Sequence, residues 1–304
     1  MRLGIRYVTR FEYGGPVVES QNELRACPAS DPSQQVVHYG VTTTPVARVA
    51  SHVDYWGTRV DTFGVAAPHD RLEVVAAATV ETAPRPTPPS GVPVAALADT
   101  AWCDAHLEFL LASPHVTWGA DLADRARPLA VGAEDATDLV RRVVADVGAL
   151  EYRPGGTEVG VGVEEVLAAG GGVCQDFAHV AVAMLRELGV PARYVSGYFF
   201  TADDRTGADG GDEVEVETHA WVEAAIPGVG WWAVDPTNLQ PVGERHVVIG
   251  RGRDYDDVAP LRGIYSGPPE HELSVNVRMR RLALGTRGAP GAPDAPARFP
   301  TSDA

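Results

Sequence analysis

Apolar residues recur at Phe177, Val180, Ala181, Met184, Leu185 and Leu188, the one-sided stripe of an amphipathic helix, which stops at Gly189 with Pro191 beyond. Three glycines, Gly170, Gly171 and Gly172, precede this helix and leave the backbone free to turn sharply into it. The same period predicts helices near 104–112, over 135–147 with Leu139, Val143, Val144 and Val147 on one side, and over 163–169. A period of two marks the strands. Residues 2–13 alternate, with Leu3, Ile5, Tyr7, Thr9 and Phe11 on one face, and 35–47 and 72–80 are rich in Val and Thr. Asp54-Tyr55-Trp56-Gly57 and Asp61-Thr62-Phe63-Gly64 read as turns flanking a short strand. Further on, 192–200 reads as a strand, and 214–224 alternates with His219, Trp221 and Glu223 on one face. Pro227-Gly228-Val229-Gly230 then turns the chain, and the run from Trp231 to Asp235 returns as a partner strand that Pro236 ends.

These elements divide the chain. Strands alone fill 1–82, a small antiparallel β-domain; a stiff proline-rich connector follows over 83–94; mixed helices and strands fill 95–284; and 285–304, dense in Gly, Pro and Ala without periodicity, reads as a disordered tail. The fold class expected is α+β.

Composition narrows the function. A length of 304 residues with 45% hydrophobic content suffices for two domains with real cores. The formal charge of −16 opposes nucleic-acid and anionic-membrane partners. Every basic residue is Arg, so Schiff-base chemistry, pyridoxal phosphate attachment and the lysine of a phosphate-binding loop are excluded. Cys27, Cys103 and Cys174 lack CxxC spacing, which indicates neither a disulfide framework nor a cysteine zinc site and suits a reducing compartment. The N-terminus lacks the apolar run of a signal peptide and no stretch approaches the ~20 apolar residues of a membrane span, so a soluble, cytoplasmic protein is expected. No cofactor or metal is expected. His38, His52 and His69 share no metal-ligand spacing and read as surface or turn residues, and the acidic loop from Asp203 to Glu213 lacks the ligand spacing of a calcium loop. HExxH and GxSxG are both missing.

The candidate chemistry lies at the start of the long helix. Cys174 falls in its first turn, where free backbone N–H groups and the positive end of the helix dipole favour an anion, the form in which sulfur attacks carbonyls. A lone Cys among small residues is more commonly a packing residue, so the reading needs a base. Folding the 214–235 hairpin about its turn brings Asp235 within about two residues of the position opposite His219, within reach of an imidazole N–H. A carboxylate that fixes the imidazole tautomer leaves the other ring nitrogen to take a proton from a thiol, which makes Cys174, His219 and Asp235 a candidate catalytic triad. Taken singly, His219 reads as an ordinary strand residue bonding a nearby carboxylate and Asp235 as a turn-starter before proline. Asp176 and His179, three apart on the helix, read as a local pair.

The runs Gly172-Val173-Cys174-Gln175-Asp176-Phe177-Ala178-His179, 189–198, His219-Ala220-Trp221-Val222-Glu223, Trp232-Ala233-Val234-Asp235-Pro236-Thr237-Asn238 and 252–258, with the β-rich start, resemble the bacterial transglutaminase-like family. The resemblance covers nearly the whole chain except the tail. It implies a papain-like thiol fold, a central helix against an antiparallel sheet, with Cys174 as nucleophile, His219 as general base then acid, and Asp235 as orienter. It also implies acyl transfer on an amide bond of a peptide, protein or small amide, ending in hydrolysis or amine capture, with the backbone N–H of Cys174 or a side chain near Tyr152 as oxyanion donor. Val159-Gly160-Val161-Gly162 is more glycine-rich than the family's pattern at the cleft wall. The competing class is a catalytically silent peptide-binding module using the region of Trp221, Trp231 and Trp232.

Overall fold

The computed structural model describes residues 1–88, 90–154, 160–202 and 213–283. The acidic loop over 203–212 and the tail over 285–304 lie outside the described residues.

The alternating start folds as expected. β1 (Arg2–Val17), β2 (Glu19–Leu24), β3 (Gln34–Thr44), β4 (Ala50–Val53), β5 (Arg59–Val65) and β6 (His69–Thr82) follow one another, and Leu3, Ile5, Tyr7 and Thr9 of β1 are all buried on one face. Asp54 starts a turn as anticipated, its Oδ1 accepting the N–H groups of Trp56 and Thr58 at 3.0 and 2.9 Å. Asp61-Thr62-Phe63-Gly64 does not turn: it is the middle of β5. The Asp-x-x-Gly pattern misleads because Asp61 is fully buried and accepts hydrogen bonds from Tyr39, Ser51 and Arg59, so its carboxylate serves cross-strand partners instead of its own backbone. His69 is likewise buried, bonded to the Ala67 carbonyl at 2.8 Å and to Ser20 at 3.3 Å, and is not a surface residue.

The helical half begins with α1 (Thr100–Ala105), which Asp99 caps by accepting the Trp102 N–H at 2.9 Å; the helix expected near 104–112 overlaps it only at residues 104 and 105, and a single 3-10 turn over Leu107–Phe109 follows. Next come α2 (Ala120–Ala130), a helix that the charged, Pro128-containing sequence conceals, α3 (Ala136–Val147), the short strand β7 (Glu151–Tyr152), α4 (Val163–Ala169), β8 (Gly171–Gly172) and α5 (Cys174–Glu187). β9 (Ala192–Phe199), β10 (Glu213–Val216), β11 (Thr218–Ile226), β12 (Gly230–Val234), β13 (His246–Gly252), α6 (Tyr255–Val258), β14 (Leu261–Ser266) and β15 (His271–Arg281) complete the described chain.

α5 is buried almost all round, not on one stripe: the sheet β12-β11-β9-β13 covers one side and α2, α3 and α4 the others. Its one deep cation, Arg186, tolerates this because the guanidinium donates to the carbonyls of Leu111, Ala192 and Arg253 at 2.7–3.2 Å. Residues 261–281 pair with the N-terminal strands, β14 with β2 and β15 with β1, giving sheets ordered β10-β15-β1-β6-β3 and β14-β2-β5-β4. The N-terminal core then runs on into Tyr198, Val247 and Ile249 of the helix-bearing sheet, so the two halves share apolar packing.

At Gly197, midway along β9, an added Cβ would stand 2.6 Å from the Trp221 ring and collide with the Val247 carbonyl on the neighbouring strand. Gly197→Ala should therefore lower stability by about 1–3 kcal/mol, read as a fall in the urea midpoint with an unchanged slope.

Candidate active site

Cys174 is the first helical residue of α5, and the three glycines before it are needed for different reasons. Gly170 ends α4 in the left-handed region at φ 69°. Gly171 lies so close to the Glu151 carbonyl that no side chain fits, which lets β8 pair with β7, and at Gly172 a Cβ would stand 2.5 Å from Asp176 Oδ2. That Asp176 oxygen accepts the Val173 N–H at 2.8 Å, capping the helix one residue before the sulfur. His179 is engaged elsewhere, accepting the Tyr255 N–H at 3.2 Å and stacking on His115, so the expected pair of Asp176 with His179 gives way to two separate anchors.

The sulfur reaches the root of β11, where Cys174 Sγ lies 3.9 Å from the Thr218 carbonyl, next to His219. β11 and β12 pair Val222 with Val234 and Ile226 with Gly230. Continued past Val234, that register would set residue 237 opposite His219, two positions beyond Asp235, as the sequence reading placed it. Pro236 breaks the ladder there, and Asp235 turns back to meet the imidazole: His219 Nε2 stands 2.9 Å from Asp235 Oδ2. With Nε2 so engaged, Nδ1 is the ring nitrogen left for the sulfur. The structure thus brings Cys174, His219 and Asp235 together.

Two further residues escaped the sequence reading. Asn238 Nδ2 donates to Asp235 Oδ2 at 2.9 Å and lies 3.2 Å from His219 Nε2. His246, at the start of β13 and 2% exposed, places its Nε2 3.2 Å from the same Asp235 oxygen. Gly243 donates its N–H to His246 Nδ1 at 3.3 Å, so Nδ1 is an acceptor and Nε2 carries the proton that Asp235 receives. Asp235 Oδ1 meanwhile accepts the N–H groups of Thr237 and Asn238 at 2.9 and 3.1 Å. Asn238 was visible in the Asp-Pro-Thr-Asn run; His246 carried no local signal, since β13 reaches the site only by pairing with β9 across a bulge.

Electrostatics follow from these contacts. Burial alone would lower His219, but its hydrogen bond with Asp235 and the nearby Cys174 outweigh it and lift the imidazole from 6.5 to about 9. Burial would raise Asp235, yet the bonds from His219, His246 and Asn238 hold its carboxyl far below the usual range. For His246 burial prevails over Asp235 and pushes the ring below its ordinary value, which leaves it neutral. One nitrogen each from His219 and His246 and one oxygen of Asp235 lie within 4.8 Å of one another, a spacing that could also hold a metal ion. His246 presents an N–H there, not a lone pair, so a metal would have to displace the hydrogen bonds just described. Tyr152 of β7 packs edge-on against Phe177 of α5, its phenol raised first by burial and then by the charges of Cys174 and Glu217.

Comparison with known proteins decides the family. Residues 123–236 match the model of the transglutaminase-like superfamily, and residues 3–81 match that of the bacterial transglutaminase-like N-terminal region. An uncharacterized protein of Mycobacterium leprae is 37% identical over 282 residues, covering 93% of this chain and 99% of its own. The chain belongs to the bacterial transglutaminase-like family. Another member, an uncharacterized protein of Mycobacterium tuberculosis, is 34% identical over 295 residues, with 91% of both chains covered. Among solved structures, the "Putative Cysteine Protease from Cytophaga hutchinsonii" shares the transglutaminase-like fold at a TM-score of 0.73 and 23% identity, covering 97% of this chain and 94% of its own. In this transglutaminase-like chain, the superfamily match closes at residue 236, just past Asp235, and leaves His246 outside it.

His219 gains its partners on folding, so its contribution to stability is complete below 6.5 and is lost as pH rises through about 9. Asp235, held low, contributes above its ordinary 3.8 and loses that contribution as pH falls through its depressed value. In an NMR titration of the ring nitrogens, His219 should titrate near 9 and fall toward 6.5 in Asp235→Asn, while His246 stays neutral down to below pH 6.5. A His219 midpoint that ignores the substitution would show that Asp235 does not hold the imidazole.

Proposed function

We propose that the protein is a cysteine-dependent acyl-transfer enzyme acting on amide bonds, as a peptidase, amidase or transamidase. The observation that carries this reading is the raised His219 imidazole, bonded through Nε2 to a saturated carboxylate and next in sequence to Thr218, whose carbonyl Cys174 Sγ meets at a helix start. Such an imidazole is a strong base for the thiol proton. In the step proposed, His219, lifted to about 9, already holds that proton when Sγ attacks the amide carbonyl. The carbonyl oxygen, negative in the tetrahedral intermediate, meets the Cys174 backbone N–H, which as the first of α5 has no intrahelical acceptor. The C–N bond breaks, the proton passes from His219 to the departing amine, and a thioester remains. Water or a second amine then attacks the thioester, with His219 accepting its proton and returning one to the sulfur. The chain contains no lysine, so in the transamidase outcome the side-chain amine comes from another molecule.

The membership in a transglutaminase-like family and the shared fold of the Cytophaga hutchinsonii structure support this reading. A silent binding module on the same fold would not need the proton-holding network around Asp235.

Cys174 should react with iodoacetamide near neutral pH well ahead of Cys27, whose thiol burial pushes up to about 11. Equal rates would remove the nucleophile from the proposal. On any amide substrate found in a library screen, Cys174→Ala should lose all turnover, whereas Asp235→Asn should lose about 10²–10⁴-fold and keep a measurable fraction. The rate should also decline above pH 9 as His219 gives up the proton that the leaving amine requires. Adding a small primary amine and weighing the products separates the two outcomes: an amine adduct marks a transamidase, and free acid alone a hydrolase.

A further inference from the structure

The second strand of the catalytic hairpin, β12, is the outermost strand of its sheet, and a cavity of about 800 Å³ runs beside it. The cavity touches five consecutive residues, Trp231 to Asp235. Successive side chains of a strand point to opposite faces, so a cavity that meets all five lies along the strand's edge and not over one face. Its walls agree, since α3 closes one side through Arg141, Val144 and Ala145, and the N-terminal half closes the other through Asp31 to Ser33 and Arg85 to Thr87. Pro241 bridges Val234 and covers the far end of the edge. Gly230 to Ala233 have no second strand among the described residues. Neither Cys174 nor His219 lines this space.

The charge of the walls is unusual for a protein of net charge −16. Arg193 and Arg251 converge on buried Glu223 at 2.7 and 3.0 Å, and Arg251 also holds Asp31 Oδ2 at 2.7 Å. These two acids are therefore used. Arg85, only 15% exposed, has the same Asp31 oxygen as its partner at 3.9 Å, beyond hydrogen-bond length, and burial pushes its guanidinium below its ordinary value. Arg141 lies over the Trp232 ring at 5.4 Å and Arg193 over the Trp231 ring at 4.0 Å. No carboxylate is bonded to Arg141 among the described residues. Two arginines thus face a groove with an aromatic floor and an open strand edge, one half-paired and one without an acid.

We propose that this groove is a docking site for an acidic peptide segment that lies extended along β12. The peptide backbone pairs with the free edge from Gly230 to Ala233, its carboxylates meet Arg85 and Arg141, and its apolar side chains lie on Trp231 and Trp232. A strand of five residues spans roughly 17 Å, the length of β12 itself. The occupant would also touch the run from Asp235 to Val242 that holds the catalytic carboxylate, so it would recruit a protein carrying an acidic strand to the enzyme at a place distinct from the sulfur.

Binding is tested in Cys174→Ala, which keeps the groove and removes any turnover, so the result does not depend on the acyl-transfer reading. The probes are an end-blocked pentapeptide Glu-Glu-Val-Val-Glu, which as a strand presents carboxylate and apolar side chains to both walls, its counterpart with lysine in place of glutamate, and glutarate, measured by calorimetry and by amide hydrogen exchange. The glutamate peptide should bind, with binding weakened by added salt, and should protect the backbone amides of residues 230–233; the lysine peptide should not bind. The added Arg85→Gln and Arg141→Gln changes should each weaken binding, and together by about tenfold or more, with the melting temperature unchanged. Arg141 is exposed, so its variant folds whatever Arg85 contributes. Equal binding of both peptides, no binding of either, indifference to both arginine changes, or binding of glutarate without protection of the β12 amides would each overturn the proposal. The last result would mark a small-anion pocket.

Discussion

The carboxylate of Asp235 is the constraint on which the site depends. A charge this deeply buried costs several kcal/mol in desolvation unless its lone pairs are filled, and here five donors fill them: two imidazoles, one side-chain amide and two backbone N–H groups. Each donor comes from a different requirement of the chain. The backbone pair exists because Pro236 ends β12 and forces the turn that Thr237 and Asn238 complete. His219 arrives from the neighbouring strand, and His246 from the opposite side of the sheet. The carboxylate therefore joins the end of β12, the start of β11 and the start of β13 at one point, and the imidazole that faces the sulfur is held by the same bonds that hold those strand ends.

His246 changes what Asp235 can do. An aspartate bonded to one imidazole alone would share charge with that ring and rotate with it. With a second, neutral N–H fixed on the same oxygen by the Gly243 contact, Asp235 is pinned from behind, and its charge stays available to stabilise a protonated His219. A neutral imidazole suits that task better than a cation would, because a fixed positive charge behind the carboxylate would oppose protonation of His219. Burial, which keeps His246 neutral, is thus part of how His219 is lifted.

Much of this was legible in the sequence because the informative signals were local. The glycine run, the apolar stripe after Cys174 and the turn between β11 and β12 each act over a few residues, and together they fix where sulfur, imidazole and carboxylate fall. The parts that were missed depend on contacts between distant segments. The turn pattern at Asp61 fails because Tyr39 and Ser51, brought by other strands, compete for its carboxylate. α2 has few apolar residues because its buried face is supplied by Leu122, Ala123 and Ala126 alone. The return of β14 and β15 to the N-terminal sheets leaves no mark on local periodicity, since any alternating strand could pair there.

The two edges of the helix-bearing sheet show how the N-terminal half contributes to the site. At β13, the edge that carries His246, the buried Gln34 side chain takes the place of a neighbouring strand: its amide donates to the Val248 carbonyl and accepts the Val248 N–H, both at 2.8 Å, and Ala29 donates to the same carbonyl. That edge is closed, and the closure fixes the strand from which His246 reaches Asp235. At β12 the N-terminal half stands back from the strand and leaves a groove. Arg251 connects the two, since it leaves β13 to bind Glu223 beneath the sheet and Asp31 on the N-terminal wall of that groove. A ligand that drew Asp31 or Arg85 toward itself would act on Arg251, and through Arg251 on the strand that positions His246. The N-terminal sheets therefore support the strand that brings His246 to Asp235, and the charge network between the halves is the route by which an occupant of the β12 groove would reach that carboxylate.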